Sequence, residues 1–220
     1  PRDPASPSGF AQPWDVEVES AVRTLGLGST LEFDTDAVQI VVESFVAPHT
    51  VLELDLTTHE QTLLKRQPVL GDVDLDRYRE LRLWAAAADG TAVPVSVVHR
   101  ADLAPDGSHP ALITAYGAYE ISSDPYFSVA RLSLLDRGVV YAVAHVRGGG
   151  EMGRHWYDHG KLLEKPTSFT DTLACTEAVV AAGWADPDRL ALEGGSAGGL
   201  LVGAVLNLDP SRWRVVHAAV

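Results

Sequence analysis

Apolar and polar residues alternate through the first third of the chain, then gather into unbroken apolar runs in the last half. Between Ala37 and Phe45, Val38, Ile40 and Val42 alternate with Gln39, Val41 and Glu43, which predicts a strand half buried everywhere except Val41. Thr50–Leu56 repeats the pattern, with Leu52, Leu54 and Leu56 on one side and Glu53 and Asp55 on the other. Thr57–Glu60 then turns the chain into Gln61–Lys65, so an antiparallel hairpin is expected. No helical period and no internal repeat accompanies these strands.

After Gln67-Pro68 the pattern changes. Tyr78–Ala88 and Thr91–Arg100 flank Asp89-Gly90, the signal of a two-residue hairpin turn. From Pro110 onward, strands are predicted over Ala111–Ala115, Val139–Val146, Leu190–Leu192 and Val215–Val220. Helices are predicted over Tyr126–Leu135, over Phe169–Ala182 before Gly183, and over Ala197–Asn207 before Asp209-Pro210. Strands apolar on both faces and separated by helices describe a parallel sheet covered on both sides. The change of pattern places a boundary near residues 70–77, dividing the chain into 1–74 and 75–220. The chain opens on Pro1 with no basic-then-apolar leader and stops at Val220 within a predicted strand, so both ends read as cuts in a longer polypeptide.

Composition narrows the function. Lys and Arg total 17 against 30 Asp and Glu, a net charge of −13, which argues against nucleic acid as a partner because backbone binding needs cations on phosphates. No apolar run approaches the ~18 residues of a membrane span, so no membrane partner is expected. The single cysteine, Cys175, excludes an internal disulfide and suits a reducing, cytoplasmic location; mid-helix, it reads as a small core residue. The 8 histidines are dispersed, and His155 and His159 lack the glutamate of a zinc-binding H-E-x-x-H, so no metal site is expected.

The sharpest chemical signal is Gly194-Gly195-Ser196-Ala197-Gly198-Gly199, between a predicted strand and a predicted apolar helix. This is Gly-x-Ser-x-Gly in the strand–turn–helix setting of an α/β-hydrolase nucleophile elbow. Such a serine must sit on a strained turn with its hydroxyl above the sheet edge, and Gly194 and Gly198 flank it because a Cβ would collide there. Ser196 is the candidate nucleophile, and the Ala197 N–H, at a helix N-terminus, is the natural first oxyanion donor. A rival motif, Gly148-Gly149-Gly150-Glu151-Met152-Gly153, satisfies G-x-G-x-x-G with Asp171 further on. A dinucleotide site requires a small-residue helix beginning inside the glycines, whereas bulky Arg154–His159 follows. A tight loop at the rim of an active site is the better reading.

The blocks Ala115-Tyr116-Gly117-Ala118-Tyr119, Arg131–Gly138, His145–Glu151, Gly160–Lys165 and Glu193–Asn207 together resemble the prolyl oligopeptidase family of serine peptidases, in family order. The likeness runs from about Val38 onward, and its wording is most similar to the oligopeptidase B branch. The resemblance implies an α/β-hydrolase, here a partial parallel sheet with flanking helices, preceded by antiparallel strands from the end of a β-propeller. Residues 1–74 would be that propeller end and its return linker, and residues 75–220 the first part of the catalytic domain. It implies a serine-type endopeptidase that cleaves short, basic peptides after Arg or Lys and needs no metal or organic cofactor. Ser196 matches the family nucleophile, and Tyr116 matches the tyrosine that supplies the second oxyanion donor beside the Ala197 N–H. Asp124 matches an acidic position that reads basic substrate residues, although Tyr126 stands where a second aspartate is common; Tyr119 is expected to line the substrate channel.

In α/β-hydrolases the acid and the histidine follow the serine. Asp209 and His217 do follow Ser196, yet Asp209 ends the elbow helix and His217 lies within the next strand. The resemblance places the true partners and the residues that bind the P1 side chain after later strands, so residues 1–220 alone are expected to be inactive. Two alternatives remain: a proline-cleaving or ester-cleaving relative, and a hydrolase-fold module without catalysis.

Overall fold

A computed structural model describes residues 12–18, 20 and 22–219. Four strands form an antiparallel meander: β1 (Arg23–Leu27), β2 (Ala37–Ser44), β3 (Thr50–Asp55) and β4 (Gln61–Arg66). The alternation sets the register, pairing Ile40 with Leu52 and Val38 with Leu54, so that Ile40 and Leu54 are buried. The expected hairpin is present. A 3₁₀ turn over Leu75–Arg77, capped by the Asp74 side chain, leads out of this sheet.

The second sheet has six strands: β5 (Tyr78–Ala86), β6 (Ala92–Arg100), β7 (Ala111–Ala115), β8 (Val140–Ala144), β9 (Leu190–Gly195) and β10 (Trp213–Ala219). Their order is β10-β9-β7-β8-β6-β5. The four from β7 to β10 are mutually parallel, and β5 and β6 add an antiparallel edge. This is the expected α/β-hydrolase architecture preceded by an antiparallel sheet. Helices α1 (Val129–Asp136), α2 (Arg154–Asp158), α3 (Pro166–Ala181) and α4 (Ala197–Leu208) complete it.

Sheet alternation sorts the core into two layers. Val93, Val95, Val97, Ile113 and Leu192 face Cys175 and Val179 of α3 and Leu201, Val202 and Val205 of α4. Val98 and Val143 point to the opposite face, where Leu132 and Leu135 of α1 meet Phe45 and Val22, which directly adjoin β2 and β1 of the first sheet. Each such fully buried aliphatic side chain contributes roughly 1.5–3 kcal/mol. Arg131 crosses this second layer with its guanidinium 4.9, 4.7 and 4.6 Å from the rings of Phe45, Tyr126 and Tyr141. Those three rings form a cage that ties the two sheets together.

Several boundaries differ from expectation. Asp89-Gly90 is part of a three-residue loop, because Ala87 N–H bonds Thr91 O at 2.9 Å and Gly90 takes a φ of 83°. Helix α1 starts at Val129 rather than Tyr126, since Ser128 caps it and residues 125–127 are held extended by the first sheet. Helix α3 starts earlier than expected, with Pro166 in its first turn, where a missing N–H costs nothing. The short helix α2 was not expected after the glycine cluster. The predicted strand end at Val220 lies outside the described residues.

Candidate active site

The glycine cluster after β9 forms a sharp turn. Ser196 adopts φ 53° and ψ −121°, a region that L residues rarely occupy, and it is exposed with no capping hydrogen bond from its side chain. Its backbone is pinned on both sides: Ser196 N–H donates to Ala219 O at 2.8 Å, and Ser196 O accepts from Gly199 N at 2.8 Å. A Cβ on Gly194 would stand 2.5 Å from Gly198 O, one on Gly198 would stand 2.8 Å from Ala115 O, and one on Gly199 would stand 2.5 Å from Ala219 O. Strand, turn and helix therefore approach as closely as backbone permits, and only glycine fits. Ala197 is the first residue of α4, so its N–H has no intrahelical partner.

Tyr116 leaves the end of β7 beside this turn. A Cβ on Gly198 would lie 3.5 Å from Tyr116 Cα, so the first turn of α4 packs directly on that tyrosine. Tyr116 also lines a cavity of about 660 Å³ together with Gly194, Gly195, Glu193, Asp124 and Glu43. Three carboxylates thus face one cavity beside the turn. Asp124 is exposed and its side chain accepts no hydrogen bond among the described residues. Tyr126, which stands where the family resemblance would place a second aspartate, lines the same cavity and stacks on Arg131.

Tyr119 stands elsewhere. Its ring lies 6.5 Å from that of Tyr116 but lines a different cavity of about 290 Å³ with Ala197, Leu200 and Lys165. The structure does not bring Tyr119 and Asp124 into one cavity; the segment between them turns through left-handed backbone at Tyr119 and Glu120, both at φ 59°.

Neither downstream candidate approaches the serine as a base. Asp209 binds Arg212 Nε at 2.7 Å, which holds its carboxyl below the ordinary value, and His217 Nδ1 lies 3.0 Å from Glu193 Oε1. The Asp171 of the rival nucleotide motif is fully buried and forks onto Arg147, so it cannot reach a ribose. Among the described residues no group of three or more His, Cys, Asp or Glu side chains could hold a metal ion. Cys175 is buried, which pushes its thiol well above the ordinary range and makes it inert.

The sequence reading missed two features. Glu43 and Glu193 join Asp124 in the cavity, and the polar alternation of β2 was the available signal for the first. A buried Ser–His–Glu array also stands here: Ser96 Oγ meets His145 Nε2 at 2.7 Å, and His145 Nδ1 lies 3.5 Å from Glu151 Oε1 without a hydrogen bond among the described residues. It has the residue order of a catalytic triad, but the Ser96 hydroxyl is sealed in the core and meets no substrate.

The sequence profile of the prolyl oligopeptidase family matches residues 125–220. Dipeptidyl aminopeptidase BI of Pseudoxanthomonas mexicana is 48% identical over 202 residues, covering 91% of this chain and 28% of that protein. Protease 2 of Moraxella lacunata is 37% identical over 221 residues, covering 97% of this chain and 32% of its own length. Among solved structures, oligopeptidase B from Leishmania major superposes with a TM-score of 0.83 at 39% identity, over 91% of this chain and 28% of that one. The chain thus spans about a third or less of the length of these relatives.

Proposed function

Because the chain belongs to the prolyl oligopeptidase family, we propose that it is the nucleophile-bearing part of a serine peptidase that hydrolyses short peptides. Residues 75–220 are the first part of its catalytic domain, and residues 1–74 the end of a β-propeller with its return linker. Ser196 attacks the scissile carbonyl. The Ala197 N–H and the Tyr116 hydroxyl receive the oxyanion, and a histidine and an aspartate from elsewhere in the whole polypeptide complete the triad. The observation that carries this reading is the strained, exposed Ser196, its side chain without a hydrogen-bond partner among the described residues, between Gly194 and Gly198, which admit no side chain.

Asp124, with Glu43 and Glu193 in the same cavity, supports a basic substrate group. That charge favours substrates that carry Arg or Lys, cleavage after those residues is what the family resemblance implies, and the lone buried thiol suits the cytosol. A second reading, release of dipeptides from a free N-terminus, is favoured by the 48% identity to a dipeptidyl aminopeptidase; the same carboxylates suit an ammonium group. Fluorophosphonate treatment of the whole polypeptide, followed by peptide mapping, tests the nucleophile: label on Ser196 is expected, and label on another residue overturns the assignment. Arginyl substrates with free and acylated N-termini then separate the two readings. Residues 1–220 alone, with no base beside Ser196 among the described residues, are expected to hydrolyse neither.

A further inference from the structure

Glu151 ends the glycine run facing the Asp124 loop, and the peptidase reading gives it no part. Its Oε1 accepts the Ser123 N–H at 3.0 Å, while its Oε2 is buried without a hydrogen-bond partner among the described residues. A Cβ on Gly149 would overlap that Oε2, and a Cβ on Gly150 would overlap Glu120 O. Gly148 O accepts from Glu120 N at 3.2 Å. The three glycines are therefore a bed without side chains on which the segment Gly117–Ser122 lies, and Glu151 reaches across it to the backbone.

The segment needs such support. Tyr119 and Glu120 both sit at φ 59°, a conformation costing of order 1 kcal/mol or more per residue. Asp124 itself lies between two tethers: Glu151 holds Ser123 N–H on one side, and Thr24 Oγ1 donates to Pro125 O at 2.7 Å on the other. Its own side chain is left unbonded. On the far side of Glu151, the buried His145 is held by Ser96 Oγ at 2.7 Å, and its Nδ1 lies 3.5 Å from Oε1 without a hydrogen bond among the described residues.

We propose that Glu151 is a positioning residue: by holding the Ser123 N–H it sets where Asp124 stands in the substrate cavity, and so sets the preference for a basic substrate group. The consequence for substrate choice rests on the peptidase reading; the placement of the loop does not. Three variants of the whole polypeptide separate geometry from charge. Glu151→Gln keeps an oxygen within reach of Ser123, Glu151→Asp keeps the charge but falls one methylene short, and Glu151→Ala loses both. Amide hydrogen exchange across residues 119–124 is expected to quicken about tenfold or more in Glu151→Asp and Glu151→Ala and to stay near wild type in Glu151→Gln. The kcat/KM ratio of basic to neutral substrates is expected to fall about 10- to 100-fold in the same two variants, with most of the loss in KM, and to be rescued by Gln. Labelling of Ser196 by a small fluorophosphonate should change by less than about threefold. Wild-type exchange or undiminished basic preference in Glu151→Asp overturns the proposal, and that variant decides even if Glu151→Ala does not fold. Should wild type fail to label at Ser196, the peptidase reading falls while the exchange comparison still judges the positioning role.

Discussion

Arg147 and Asp171 meet as a two-point fork, with Nε 2.9 Å from Oδ2 and Nη2 2.7 Å from Oδ1, and the Arg147 backbone N–H also donates to Oδ2 at 3.1 Å. One carboxylate thereby fixes both the side chain and the main chain of the residue that opens the glycine bed. Asp171 has no exposed surface, so removing the Arg147 side chain leaves a buried charge held only by the backbone N–H of residue 147. Arg147→Ala is expected to destabilise the protein by about 3–5 kcal/mol. Arg147→Lys, which cannot reproduce the fork, should recover less than half of that. Urea unfolding of both variants against wild type measures the difference; an Arg147→Ala change below about 1 kcal/mol contradicts it.

Ser196 provides a second stability test, separate from chemistry. Serine at φ 53° and ψ −121° stores backbone strain that glycine does not suffer. Ser196→Ala and Ser196→Gly both delete the hydroxyl and are expected to lose peptidase activity and phosphonate labelling together. They should differ in stability, with Gly more stable than Ala by about 1 kcal/mol after its larger loss of chain entropy is counted. Equal midpoints in denaturant would mean that the turn is relaxed.

Much of this was legible in the chain, and the illegible part has a common physical cause. Period-two alternation located β2 and β3, apolar runs located β7 and β8, and Gly-x-Ser-x-Gly located the turn, because each is decided by neighbours in sequence. The start of α1 is not decided locally: Phe127 N–H is taken by Glu43 and Pro125 O by Thr24, from strands far upstream. The spacing of Asp171 from the glycines fits a dinucleotide motif that bulky Arg154–His159 already argues against, and nothing in that spacing points to its real partner, Arg147, 24 residues earlier. Glu151 carried no motif of its own, and its bond to Ser123 spans 28 residues. Contacts across loops leave no periodic trace.

Acid sensitivity should follow from His145. Burial is the largest influence on its imidazole and holds it below the ordinary 6.5; nearby Arg82 acts the same way, while Glu151 and Asp124 pull upward. The unfolded chain then binds a proton more readily than the native one. Stability is therefore full above pH 6.5 and declines as pH falls from 6.5 toward the lower native value. His99, also lowered by burial, adds a slope of the same sign. Replacing His145 with Gln should flatten the profile below pH 6.5 without removing the His99 contribution. An unaltered slope in His145→Gln, measured by urea unfolding across that range, would show that the buried imidazole does not titrate with unfolding.

Tyr116 offers the most direct test of the oxyanion arrangement. Gly198 packs on its Cα, so the ring is placed by backbone contact rather than by a flexible tether, and the Ala197 N–H lies in the same first turn of α4. Tyr116→Phe retains the ring, its packing and its 6.5 Å approach to Tyr119 while deleting only the hydroxyl. If that hydroxyl meets the oxyanion, its bond strengthens as charge develops on the carbonyl, so the loss belongs in kcat rather than in KM. A fall of about 10²–10³ in kcat with KM changed less than about threefold is expected of the whole polypeptide. A rise in KM at constant kcat would instead place Tyr116 in ground-state binding, and the second oxyanion donor would have to be sought on another loop.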